Sequence, residues 1–280
     1  MRSPRVKAAR QLAKRAFRER SRLFLAEGPQ AVREALATPG VLTDLFVSGG
    51  AAGRHADLVE RAAGQGVAVT AVSGEVMAEL AQTVTPQGLL GVCRFVDVSL
   101  ADLAAARPRL VAVLANVRDP GNAGTVLRTA DAAGADGVIF TAASVDPYNS
   151  KCVRSSAGSL FHLPVVTGAE PAAAAAALRA AGLRVLAADG SADHVLDVAA
   201  GPGLDAPTAW LFGNEAWGLP AGLLALADEA VAVPIYGRAE SLNLAAAAAI
   251  CLYASAARQH ALAAARPAGY RPAGDAGNVT

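Results

Sequence analysis

Apolar positions along the chain alternate between short continuous runs and longer stretches in which they recur every three or four residues. The first pattern predicts buried strands, the second helices with one packed face. Residues 6–20 read as a basic helix, and 29–37 as a second helix stopped by Pro39-Gly40. Strands follow at 44–48 and 67–72, with a helix over 56–63 between them. Ser73 is placed to cap a helix over 74–82, because its hydroxyl can accept an orphan backbone N–H. Residues 89–96 form a closing strand after the Pro86-Gln87-Gly88 turn. These elements make a small α/β unit over residues 1–98, joined by a linker at 99–108 with room for a helical turn.

A second unit, residues 109–266, opens with an unbroken apolar strand at 110–114, the signature of burial on both faces. A helix over 123–133 follows, with Asn122 in the position of its N-cap, and a strand over 138–141 comes next. Pro171 starts an alanine-rich helix that ends near Gly182. Strands at 185–188, 209–212 and 231–235 precede a long final helix over 242–265. Strands alternating with helices predict an α/β fold with a mostly parallel sheet covered on both sides. The Gly-, Pro- and Ala-rich tail, 267–280, reads as disordered.

Composition narrows this picture. Hydrophobic residues are 53% and charged residues 18% of the 280, as in a folded globular protein, although much of the hydrophobic share is alanine. No apolar stretch is long enough to span a bilayer, and the basic N-terminus is followed by no secretory core. Cys93, Cys152 and Cys251 are far apart and lack ligand spacing, so neither a disulfide framework nor a metal site is expected, and a reducing cytoplasm fits. Net charge is only +1, yet nine Lys and Arg crowd residues 2–22 against the single acid Glu19. Such clustering is the footprint of phosphate binding, or else a solvated helix face or a floppy basic arm. Arg10, Lys14, Arg18 and Arg22 belong to this cluster.

The residues after the first strand of the second unit, Asn116 to Gly124, lack the G-x-G-x-x-G spacing, and no P-loop occurs. Ordinary dinucleotide or nucleoside triphosphate binding is therefore disfavoured. His55, His162, His194 and His260 are scattered without a nucleophile elbow, which argues against a Ser-His-Asp hydrolase. What remains are polar residues at strand ends: Asn122 and Arg128, then Gly213-Asn214-Glu215, then Ser241 and Asn243. Ligands of open α/β sheets bind outside the strand carboxyl ends, so these loops can converge on one site. Read singly, each is equally a helix cap, a surface arginine or a glycine turn.

Together the segments resemble three blocks of the SpoU/TrmH family in the SPOUT methyltransferase superfamily. The first is Asn116-Val117-Arg118-Asp119-Pro120-Gly121-Asn122, continuing through Leu127-Arg128-Thr129-Ala130-Asp131. The second is Leu211-Phe212-Gly213-Asn214-Glu215-Ala216-Trp217-Gly218-Leu219, and the third runs from Val233-Pro234-Ile235 to Glu240-Ser241-Leu242-Asn243-Leu244-Ala245. Upstream, Phe24-Leu25-Ala26-Glu27-Gly28 and Thr85-Pro86-Gln87-Gly88 resemble a ribosomal-protein-like substrate-binding domain. The resemblance implies a trefoil-knotted methyltransferase domain preceded by a small RNA-binding domain. It further implies S-adenosylmethionine as cofactor, a homodimer, no metal, and transfer to a ribose 2′-hydroxyl of RNA, ribosomal RNA before transfer RNA. A catalytically silent RNA-binding protein of the same fold is the competing reading. Gly213, Val233, Ile235 and Leu242 would line the cofactor pocket; Arg128, Asn122, Glu215, Ser241 and Asn243 would carry the reaction; Arg154 and the N-terminal Arg10, Lys14, Arg18 and Arg22 would meet the RNA. Arg128 would act either as the base or as the anchor of the target phosphate.

Overall fold

A computed structural model describes residues 3–197 and 203–265, so the expected disordered tail lies outside the described residues. The chain begins with α1 (Pro4–Gln11) and α2 (Arg15–Ser21), followed by β1 (Leu23–Glu27), α3 (Pro29–Ala37) and β2 (Leu42–Ser48). Next come α4 (Gly49–Arg54), α5 (Ala56–Gly64), β3 (Ala68–Val72), α6 (Gly74–Ala81) and β4 (Leu89–Arg94). The four strands form a sheet of order β1-β4-β2-β3, with β4 antiparallel to both neighbours and β3 parallel to β2. Ser73 caps α6 as expected, accepting from the N–H of Val76.

The single basic helix expected over 6–20 is two helices, and Arg18 explains the break. Its Nη1 donates to the carbonyls of Leu12 at 2.8 Å and Ala13 at 3.0 Å, groups that a continuing helix would have used internally. Val6, Ala9 and Leu12 are buried against Leu25, Phe46 and Val92 of the sheet. Residues 3–22 are therefore part of the packed unit rather than a free arm.

The second unit begins with α7 (Leu100–Ala105), capped by Ser99, inside the segment expected as linker. Then follow β5 (Leu110–Leu114), α8 (Pro120–Ala132), β6 (Gly137–Thr141), α9 (Ser150–Ser155), a 3-10 turn at Ser159–Phe161 and β7 (Val165–Ala169). The chain continues with α10 (Pro171–Ala180), β8 (Arg184–Ala188), β9 (Thr208–Phe212), α11 (Ala221–Leu224), β10 (Glu229–Val231) and α12 (Leu244–Ala265). All six strands are parallel, in the order β10-β8-β9-β5-β6-β7. Every residue of β5, β6 and β9 is buried, which is why β5 reads as an unbroken apolar run.

β10 ends earlier than the strand expected over 231–235. Beyond Val231 the chain leaves β8: Ala232 donates to the carbonyl of His194 at 2.8 Å and accepts from Leu196 at 2.7 Å. Pro234, which has no N–H, cannot continue a ladder, and the chain from there turns over the sheet's end.

The two sheets share a core. Phe24 of β1 packs against Tyr148, Phe161 and Phe95 with ring centroids 4.8, 5.9 and 6.2 Å away, and Phe95 stacks on Tyr148 at 3.7 Å. Beside this cluster Arg18 pairs with Asp146 at 2.6 Å, the two side chains only 5% and 10% exposed. Arg22 reaches Asp97 at 2.6 Å, and the Tyr148 hydroxyl donates to the same carboxylate at 3.1 Å. On the opposite flank His162 lies between Glu34 of α3 and Asp131 of α8. Burial disfavours the charged imidazole, but the hydrogen bonds to the two carboxylates outweigh it, and the pKa is raised from its ordinary value. Among the described residues, no helix is long and apolar enough to cross a membrane.

Candidate functional site at the carboxyl ends of the parallel strands

Successive connections run from β5 towards β7 on one side of the sheet, while β8, β9 and β10 lie on the other. The reversal leaves a crevice above the strand ends, where open α/β sheets bind ligands. A cavity of about 280 Å³ opens there, over the ends of β8, β9 and β10 and under the start of α12. Gly213, Val233, Ile235 and Leu242, the four expected cofactor residues, all line it, as do Glu215 and Ser241.

Its floor is a tight turn directly after β9. Asn214 and Gly218 exchange backbone hydrogen bonds at 2.9 Å, with Gly218 in the left-handed region at φ +66°. The Asn214 side chain accepts from the N–H of Ala216 at 2.8 Å and donates to the carbonyl of Asn116 at 2.9 Å, tying this turn to the loop after β5. Gly213 is required by space. A Cβ there would stand 2.4 Å from the carbonyl carbon of Gly218 and 2.7 Å from the N–H nitrogen of Leu219.

The turn also presents Glu215 to the start of α8. The helix cap is Asp119, whose side chain accepts from the N–H of Asn122 at 2.8 Å, with Pro120 at the first helical position. Asn122 is thus in the first turn and not the cap that the sequence predicts, because the helix starts three residues earlier. That leaves its amide free for the site. Lys151 holds the Asp119 carboxyl below the usual carboxylate range, aided by the N–H of Asn122. Glu215 Oε1 accepts from the N–H of Asp119 at 3.2 Å and from Asn122 Nδ2 at 3.3 Å, and Oε2 from the N–H of Arg118 at 3.3 Å. From the far side Asn243 Nδ2 donates to Asn122 Oδ1 at 3.1 Å, while Asn243 Oδ1 caps α12 through the N–H of Ala245 at 2.9 Å. Asn122, Glu215 and Asn243 form one chain of hydrogen bonds at the cavity's edge. Ser241 is exposed in the cavity wall. Arg128 stands apart, exposed on α8 with no ion pair or hydrogen bond of its side chain among the described residues.

The cavity fits a cofactor with an apolar ring and a cationic centre. Aliphatic Val231, Val233, Ile235 and Leu242 offer a sleeve for a flat heterocycle, and Asp189, Glu215 and Glu240 bring carboxylates to the same space. Asp189 was not singled out from the sequence. It sits one residue past β8, followed by Gly190, and its Oδ1 accepts from both the N–H and hydroxyl of Ser191. An acid followed by glycine at a strand's carboxyl end is the signal that marks it. All three cysteines are buried, and burial pushes their thiols up, Cys251 to about 12.

The five cations expected to meet RNA have different surroundings. Arg10 pairs with Glu79, Arg22 pairs with Asp97 and lies over the Phe95 ring, and Arg154 donates to the carbonyl of Ala81 at 3.3 Å. Arg18 is buried and fully used by Asp146 and two carbonyls, so it is a structural arginine, contrary to expectation. Lys14 is exposed, with no ion pair among the described residues.

Comparison with known proteins meets this geometry. Residues 109–253 match the SpoU rRNA Methylase family, and residues 3–91 the MRM3-like substrate binding domain. The 23S rRNA (guanosine(2553)-2'-O)-methyltransferase of Bacillus subtilis is 36% identical over 252 residues, covering 89% of this chain and 94% of its own. An AdoMet-bound rRNA methyltransferase from Sinorhizobium meliloti superposes with a TM-score of 0.78 at 32% identity, over 92% of this chain and 95% of the other. The SpoU methyltransferase AviRb from Streptomyces viridochromogenes in complex with AdoMet gives 0.78 at 29% identity, over 92% and 99%. With the blocks that match the family also lining one crevice, the chain belongs to the SpoU rRNA methylase family.

Proposed function

We propose that this protein transfers the methyl group of S-adenosylmethionine to a ribose 2′-hydroxyl of ribosomal RNA. One observation carries the reading: Gly213, Val233, Ile235 and Leu242 line a single cavity whose edge is the Asn122–Glu215–Asn243 chain. S-adenosylmethionine supplies a methyl group already activated by its sulfonium. The protein's task is then to hold the acceptor oxygen in line and assist loss of its proton. Arg128 grips the phosphate of the target nucleotide. A guanidinium does not give up its proton in proteins, so a charge-assisted phosphate contact suits it better than the role of base. Glu215 fixes the start of α8 through two backbone N–H groups, and with it the helix that carries Arg128. Asn122 and Asn243 orient the ribose at the cavity's edge, and Ser241 donates to the cofactor or the sugar.

The relative from Bacillus subtilis is named for 23S rRNA, and the N-terminal unit matches a substrate-binding domain, which favours rRNA over tRNA. A homodimer, a cytoplasmic location and a knotted path between β10 and α12 belong to the same reading. Tyr236 and Trp217, 95% and 60% exposed beside the cavity, are surfaces for a second copy, testable by light scattering in solution. The decisive experiment is transfer of labelled methyl to unmodified rRNA and tRNA, followed by nuclease digestion and nucleoside mass spectrometry. A 2′-O-methylated nucleoside from rRNA is expected. Acceptance by tRNA alone would move the substrate, and cofactor binding without transfer to either would favour a silent RNA-binding protein.

A further inference from the structure

An open groove of about 440 Å³ runs between α2 and the carboxyl ends of β5 and β6, where the two units meet. Arginines 15, 18 and 118 line it, against Asp146 as the one acid. That acid is already neutralised, because Arg18 donates to its Oδ2 from Nε at 2.9 Å and Nη2 at 2.6 Å. Arg15 is held by Glu19 at 2.7 Å, but both side chains are more than half exposed, and such a pair yields readily to a competing anion. Arg118 is exposed, and its side chain has no ion pair or hydrogen bond among the described residues. The floor is made of small residues, Ala142, Ala143 and Ser144, so an extended backbone can lie close to it.

Arg118 belongs to two places at once. Its main-chain N–H donates to Glu215, which lines the cofactor cavity, while the residue, exposed, also lines the groove. We propose that the groove holds the phosphodiester backbone of the substrate RNA beside the target nucleotide, with Arg118 as the principal phosphate contact and Arg15 as the second. This rests on the reading of the protein as an RNA methyltransferase, and it names the strand's route from the N-terminal unit to the reacting ribose. Guanidinium forks match phosphate oxygens, and contacts of this kind set register without reading sequence.

The test is binding of an unmodified rRNA transcript at several salt concentrations, with methyl transfer and cofactor affinity measured in parallel. Arg118→Gln spares the backbone N–H that serves Glu215, so cofactor affinity is expected to stay within about twofold. RNA affinity is expected to fall about tenfold, as for loss of one charged hydrogen bond. The slope of log affinity against log salt should shrink by about 0.7, one single-strand phosphate. Arg118→Lys should recover most of the slope, and Arg15→Gln should add a smaller loss of its own. An unchanged salt slope in Arg118→Gln overturns the proposal, and so does a fall in turnover with RNA affinity intact. If the wild type binds RNA but transfers no methyl, the activity reading falls by itself and the binding slopes still decide the groove. A wild type that does not bind RNA overturns both.

Discussion

Gly213→Ala adds one methyl group at the floor of the cofactor cavity. The new Cβ would sit 2.4 and 2.5 Å from the carbonyl carbon and oxygen of Gly218, and 2.7 Å from the nitrogen of Leu219. These are backbone atoms, so no side chain can swing away. Ordinary contact begins at 3.4 Å, which leaves about 1 Å to be found by moving one wall of the turn. Overpacking of this kind costs about 1–3 kcal/mol. If the turn keeps its shape, the cost shows as lost stability. If it opens, the hydrogen bonds between Asn214 and Gly218 give way and the cost passes to cofactor affinity, where 2 kcal/mol is about thirty-fold. Urea unfolding and calorimetric titration with S-adenosylmethionine read the two shares, whose sum should be about 1–3 kcal/mol. Gly222→Ala is the control, since nothing lies within 4 Å of its Cβ position. Wild-type stability together with wild-type cofactor affinity in Gly213→Ala would refute the packing argument.

Further outcomes follow from other parts of the molecule. Arg128→Ala should lose methyl transfer by orders of magnitude while binding cofactor normally, because the side chain is exposed and outside the cavity; normal turnover would remove it from the reaction. Asp146→Ala strands the buried Arg18 guanidinium and should cost about 3–5 kcal/mol in urea unfolding, whereas a loss under 1 kcal/mol would mean that water reaches the pair. His162 has a raised pKa in the folded state, so its contribution is fully present below the ordinary value of 6.5 and is lost as pH rises through the raised one. Stability of the wild type should therefore decline over that window and that of His162→Gln should not; parallel pH curves would contradict the clamp between Glu34 and Asp131.

Where local pattern and tertiary environment agree, the chain could be read directly. The bounds of α3 and β5 are those of the pattern, because Pro29 and Pro39-Gly40 punctuate one and two-sided burial makes the other uniformly apolar. The pattern does not mark β1 as a strand, because its apolar run is cut by Glu27, an acid buried only because its carboxylate accepts from the N–H of Gln87 at 2.8 Å, 60 residues away. The break between α1 and α2 is set by Arg18, whose partner Asp146 is 128 residues away and invisible to any local window. The candidate site shows the same division. Its residues were nameable from the three blocks, but the bonds joining Glu215 to Asp119 and Asn243 to Asn122 span 96 and 121 residues. Asn122 was placed one role away from its observed one because Asp119 and Asn122 are both good caps and only Pro120 distinguishes them.

The aromatic cluster of Phe24, Phe95, Tyr148 and Phe161 has an evolutionary consequence. The two halves carry the signatures of interchangeable modules, yet one buried cluster runs through both. Exchange of the N-terminal half for that of a relative would leave Tyr148 and Phe161 facing foreign side chains, and Asp146 would stay paired only where the incoming half sets a cation in the place of Arg18. New target specificity in such a lineage is therefore easier to reach by altering loops on a fused body than by shuffling whole segments.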